Sequence, residues 1–135
     1  MERKISKNAK DTLKIAKEYA KTLKNGDIVL LSGDLGAGKT VFSKGLISAL
    51  TGEEDVVSPT FSLCNAYHGK TDVYHFDLYR IEDVTELENI GVEEMMYSGA
   101  ICLFEWAERA EGIFPDYAKR VVIKKVDDNT REIIL

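Results

Sequence analysis

The residues best equipped for chemistry are Gly33-Asp34-Leu35-Gly36-Ala37-Gly38-Lys39-Thr40, which satisfy the spacing G-x-x-x-x-G-K-[ST]. Glycines permit the positive-φ turns that aim successive backbone N–H groups at one anion. A helix opening near Lys39 would add the positive end of its dipole. Lys39 supplies a point charge for the outer phosphates, Thr40 offers a hydroxyl oxygen to Mg²⁺, and Val41 closes the stretch expected to hold the nucleotide. Asp34 is the odd member. A carboxylate beside phosphates repels them unless it points away, so a loop-shaping or water-orienting role is expected of it.

Such a loop needs a further acid, usually from the end of a buried strand. Two residues qualify: Glu105, after Ile101-Cys102-Leu103-Phe104, and Asp77, after Tyr74-His75-Phe76. One would hold Mg²⁺ and the other would orient the attacking water. Thr60, in Ser58-Pro59-Thr60-Phe61, falls where nucleotide-sensing switch loops occur, and a turn opening a strand is the alternative reading. Alternation puts His75, Asp77 and Tyr79 on one strand face, with a structural role favoured for the histidine. Arg80 could meet a phosphate or pair with an acid such as Glu105, the second being favoured slightly. Trp106 reads as a core or interface residue.

These residues must be positioned by ordinary elements. Residues 6–24 carry Ala9, Leu13, Ala16, Ala20 and Leu23 at helical spacing, with lysines on the other faces, Ser6 as the expected N-cap and Gly26 as the stop. Residues 27–32 read as a buried strand through Ile28-Val29-Leu30-Leu31, and residues 41–50 as a helix stopped at Gly52. The phosphate loop therefore lies between strand and helix. Residues 61–67 and 71–79 read as a hairpin turning at His68-Gly69-Lys70. Short helices follow at 83–89 and 92–97, then a strand at 100–104 and a terminal hairpin of 121–126 with 131–135. The expectation is an α/β fold, a P-loop NTPase-like three-layer arrangement with a mixed parallel and antiparallel sheet, spanning residues 1–135 as one P-loop ATPase domain.

The chain of 135 residues carries a formal charge of −5, which argues against tight nonspecific nucleic-acid binding through a broad basic face. The N-terminal residues have no apolar run behind their charges, and no stretch is long enough to span a membrane, so a cytoplasmic address is expected. Cys64 and Cys102 read as buried free thiols.

The guanine-reading pattern is incomplete. Lys124-Lys125-Val126-Asp127 has Lys-x-Asp but lacks the preceding Asn or Thr, and no Asp-x-x-Gly switch follows Asp77. ATP is therefore favoured. A small-molecule kinase is the main enzymatic rival, although it needs a basic lid, and Arg109 and Arg120 stand in unrelated contexts. A nucleotide-binding module without turnover is the third reading.

Taken together, the phosphate loop, Ser58-Pro59-Thr60-Phe61, His75-Phe76-Asp77-Leu78-Tyr79-Arg80 and Glu105-Trp106 resemble the TsaE family, as do Gly45 and Asp11-Thr12. The resemblance implies a bacterial ATPase required for threonylcarbamoyladenosine modification of tRNA. It implies weak hydrolysis tied to TsaB and TsaD, which work with a TsaC-type enzyme, so that tRNA is met only through the complex. Carried over by motif, Thr40 and Glu105 match the family's Mg²⁺ ligands, Asp77 its catalytic or metal-linked acid, and Thr60 its switch-like threonine. Thr12 would lie near the base.

Overall fold

The computed structural model describes residues 2–34, 36–59 and 62–135. The expectations for Leu35, Thr60 and Phe61 lie outside the described residues. In chain order the elements are β1 (Arg3–Ser6), α1 (Ala9–Ala20), β2 (Ile28–Gly33), α2 (Lys39–Thr51), β3 (Cys64–Tyr67), β4 (Val73–Asp77), α3 (Thr85–Asn89), α4 (Val92–Met96), β5 (Ile101–Glu105), a 3₁₀ turn (Ala107–Ala110), β6 (Lys119–Lys125) and β7 (Arg131–Ile134).

The strands form a seven-stranded sheet in the order β1-β7-β6-β2-β5-β4-β3. Its centre is parallel, with β2 between β5 and β6 and β4 beside β5. Its margins are antiparallel: the β3–β4 and β6–β7 hairpins, with β1 added to β7. The mixed sheet and both hairpins are as expected from the sequence.

The uninterrupted apolar run of β2 has a direct cause, because helices cover both sheet faces. Val29 and Leu31 enter a core with Ala16, Phe42 and Leu46 under α1 and α2. Ile28 and Leu30 enter a second core with Leu87, Val92 and Met96 under α3 and α4. All four β2 residues are fully buried. At about 1.5–3 kcal/mol per buried aliphatic side chain, these central strands anchor the three layers. Among the described residues, no helix is long and apolar enough to cross a membrane.

The N-terminal expectation needs correction. Residues 3–6 are a strand, and the helix covers only Ala9–Ala20, ending well before Gly26. The N-cap is Asn8, whose side chain accepts from the Asp11 N–H at 2.8 Å. Ser6 instead points inward, fully buried, with its hydroxyl 2.7 Å from that of Thr12. The short, charged β1 is specified by pairing with residues at the other end of the chain, and no local periodicity announces it. The lysines of α1 are solvated, as expected. The two cysteines are free, Cys102 buried and Cys64 half-buried, and burial pushes both thiols up to about 12.

Helix α1 packs closely on α2 because Gly45 has no side chain. A Cβ there would lie 3.0 Å from Ala16 Cβ and 3.2 Å from the Leu13 side chain and carbonyl. We expect Gly45→Val to force the helices apart and destabilise the protein by about 1–3 kcal/mol. Urea unfolding would read this as a lower midpoint at unchanged slope, and a wild-type midpoint would show that the helices separate freely.

Candidate functional site

The site stands at the C-terminal ends of β2, β5 and β4. Register aligns Leu31 with Glu105 and Glu105 with Asp77, so the two acids stand side by side on neighbouring parallel strands. Gly33 ends β2 just beyond that row, and the loop turns from there into α2. Gly36 and Gly38 have φ of 80° and 104°, which side chains disfavour. Gly38 is the N-cap of α2 and provides no capping side chain, so the first-turn N–H groups remain available to an anion.

Within the loop, the Asp34 carbonyl accepts from the Ala37 N–H at 3.0 Å while the Asp34 side chain is exposed. Its loop-shaping contribution thus comes from its backbone. Ala37 is buried, Val41 is half-buried, and Thr40 is exposed in the first turn of α2.

Lys39 is 7% exposed, and its ammonium lies 3.8 Å from the centroid of the Trp106 ring. Burial lowers its pKa, while the charges of Glu105, Glu108, Asp77 and Asp34 act in the opposite direction. Trp106 adopts φ of 59°, a left-handed conformation that is costly for a bulky residue. It also packs on Tyr79, with ring centroids 4.9 Å apart. Trp106 packs against the second core, as expected, and its π face also holds the lysine beside the loop.

Glu105 is 4% exposed, and its Oε2 lies 2.6 Å from His75 Nε2 and 3.4 Å from the Ser43 hydroxyl on α2. The expected pairing of Arg80 with Glu105 is thus corrected. Arg80 is exposed in the turn beyond β4, whereas His75 points inward beside Glu105. Asp77 is half-buried and accepts from the Tyr79 N–H at 3.0 Å. Burial raises its pKa, and the Tyr79 N–H offsets part of that rise.

Two features escaped the motifs. The first is Arg131, whose Nε donates to the Ala37 carbonyl at 2.9 Å and whose Nη2 donates to that of Gly36 at 3.2 Å. Its Nη1 donates to the carbonyls of Asp127 and Thr130 at 2.8 and 3.1 Å. One guanidinium thus ties the phosphate loop to the β6–β7 turn. The second is a cleft of about 270 Å³ beside the loop, lined by Asn8, Thr12, Val41, Asp128, Asn129 and Arg131 among others. Thr12 is 3% exposed there, with its hydroxyl engaged by Ser6. No local signal marks the grip of Arg131 on the loop, because its partners there lie more than ninety positions away.

The donor set suits a hard cation. Thr40 brings a hydroxyl, and Glu105 and Asp77 bring carboxylates. Among the described residues, no three His, Cys, Asp or Glu side chains group as a metal cage. Mg²⁺ commonly takes one or two carboxylates and completes its shell with phosphate oxygens and water.

Two measurements follow from this geometry. Arg131→Met keeps the aliphatic stem but removes both bonds to the loop, and charged donors are worth about 1.5–3 kcal/mol each where buried. Part exposure here lowers that, so binding of a nucleoside triphosphate should weaken roughly tenfold in calorimetry. Unchanged affinity would show that the loop holds its shape alone. Asp77 titrates with a folded-state pKa above its unfolded value, so its ionisation costs stability as pH rises beyond about 4. Without nucleotide or Mg²⁺, Asp77→Asn should raise the Tm at pH 7, with the gain shrinking as pH is lowered towards 4. A lower Tm for the variant at pH 7 would contradict this.

Known proteins place the chain in a family. Residues 6–133 match the family described as "Threonylcarbamoyl adenosine biosynthesis protein TsaE". The tRNA threonylcarbamoyladenosine biosynthesis protein TsaE of Treponema pallidum is 37% identical over 129 residues, covering 96% of each chain. The Bacillus subtilis protein of the same name is 42% identical over 127 residues, covering 93% of this chain and 79% of its own. The crystal structure of Bacillus subtilis YdiB superposes with a TM-score of 0.79 at 34% identity, over 98% of this chain and 82% of that one. Similarity at this level, running almost from end to end, makes the chain a member of the TsaE family of threonylcarbamoyladenosine biosynthesis proteins.

Proposed function

We propose that this chain binds ATP with Mg²⁺ on residues 33–41 and hydrolyses it slowly as an accessory ATPase for threonylcarbamoyladenosine modification of tRNA. It acts with the TsaB–TsaD complex in the cytoplasm and meets tRNA only through that complex. The observation that carries the reading is the row of two acids, Asp77 and Glu105, level with one another beneath a phosphate loop whose lysine feels both charges.

The roles follow from position. Loop N–H groups and the N-terminus of α2 receive the phosphates. Lys39 leaves the Trp106 ring for the phosphate oxygens, where charge-assisted bonds are stronger than a cation–π contact. Thr40 and Glu105 would hold Mg²⁺, which would supply charge neutralisation at the transferring phosphoryl group. Asp77 orients water or joins the metal shell; Thr60, by the resemblance of its motif alone, serves as the switch threonine. Thr12 helps shape the cleft for the base.

A kinase using the same loop is the second reading. It calls for cations that close over the acceptor. Arg109 instead lies over the Tyr79 ring at 5.2 Å, and Arg120 lines a cleft with Glu111 and Asp116. Neither observation favours the kinase.

Labelled ATP tests the proposal. Phosphate release should be slow alone and rise when TsaB–TsaD is added, with no label transferred to a metabolite. Lys39→Ala should weaken ATP binding about ten- to a hundredfold, the worth of one or two charge-assisted bonds. Glu105→Gln should spare most nucleotide binding and abolish release. Stoichiometric transfer to a small molecule without partners would overturn the ATPase reading in favour of the kinase.

A further inference from the structure

One buried polar contact beside the site joins two side chains whose ordinary place is water. His75 is 1% exposed and Glu105 is 4% exposed, and their contact is 2.6 Å long. A carboxylate in such a place costs several kcal/mol unless donors compensate it. Among the described residues, two donors reach Glu105, and both fall on Oε2. The Ser43 hydroxyl, at 3.4 Å, lies beyond the usual O–H···O range and contributes little. His75 therefore holds the acid.

The ring has no comparable second task. Among the described residues, Nδ1 is a buried nitrogen without a hydrogen-bond partner. A side chain kept for packing alone would be cheaper as an aliphatic residue, which leaves no polar atom stranded. With a carboxylate oxygen as its neighbour, Nε2 is assigned the donor role in this contact. The sheet explains the reach. Asp77 is the register partner of Glu105, and His75, two residues earlier on the same face of β4, meets the carboxylate diagonally.

The contact also answers a problem of neighbouring charge. Glu105 and Lys39 attract each other in a poorly solvated place, and an ion pair between them would occupy both groups. Instead the ammonium rests on Trp106 and the carboxylate rests on His75.

We propose that His75 is a positioning residue: its Nε2–H fixes Oε2 of Glu105, keeps the acid from collapsing onto Lys39, and leaves Oε1 as the oxygen offered to Mg²⁺. The proposal rests on the reading of Glu105 as a Mg²⁺ ligand. It assigns His75 no contact with nucleotide and no proton transfer during hydrolysis.

Three substitutions separate positioning from packing. The amide of Gln reaches the place of Nε2, that of Asn reaches only the place of Nδ1, and Leu supplies volume without a donor. Mn²⁺ affinity, read by electron paramagnetic resonance with a non-hydrolysable ATP analogue, reports the metal shell without turnover. Metal-free nucleotide affinity and ATP hydrolysis complete the set.

We expect His75→Leu and His75→Asn to weaken Mn²⁺ binding about tenfold and slow hydrolysis at least tenfold, with metal-free nucleotide affinity within about twofold. His75→Gln should recover most of both. If Leu does not fold, the Asn and Gln pair carries the comparison. Equal losses in Asn and Gln variants, or wild-type metal affinity in the Asn variant, would overturn the positioning role. Glu105→Gln separates the two layers. If it binds Mn²⁺ and hydrolyses ATP normally, the assignment of Glu105 fails, and the role of His75 fails with it. If it is defective while His75→Asn is normal, only the role of His75 fails.

Discussion

Parallel pairing of β2, β5 and β4 is the constraint on which the rest of the molecule depends. It brings Leu31, Glu105 and Asp77 into one row and sets Gly33 just past it. Parallel neighbours must be joined by crossovers, and those crossovers supply the helices that bury both faces. The same pairing therefore builds two cores and delivers two acids to the edge where the loop begins. A slip of one residue between β4 and β5 would move Asp77 away from Glu105 and turn His75 off the face it shares with them.

At that edge the difficulty is keeping opposite charges available. A lysine and a glutamate brought together in a mostly buried place would ordinarily neutralise each other. Here each has another partner: the ring of Trp106 for the ammonium, and the imidazole of His75 for the carboxylate. Trp106 holds its place in a strained left-handed backbone, and strain of that kind persists where the surroundings over-determine it. The contacts of its ring with Tyr79 and Lys39 supply that surrounding.

The loop is stabilised from far along the chain. Arg131 crosses to the carbonyls of Gly36 and Ala37, and the same residue begins β7, the strand on which β1 is laid. Asn8 and Thr12 approach from the other side of the cleft. Both ends of the chain thus converge on the segment that would hold a nucleotide.

Much of this was legible in residue order. The glycine spacing with Lys39 and Thr40, the apolar runs of β2 and β5, the β3–β4 and β6–β7 hairpins, and the acids ending β4 and β5 are local patterns of periodicity and turn chemistry. Local energetics decides such features, so reading along the chain finds them. The strand character of residues 3–6, the choice of Asn8 over Ser6 as cap, the pairing of Glu105 with His75 rather than Arg80, the seating of Lys39 on Trp106, and the grip of Arg131 on the loop were decided by tertiary structure. Each joins groups distant in sequence or selects among partners equally near in sequence. Register, burial and the direction of a side chain make that selection, and none of these exists until the sheet has formed.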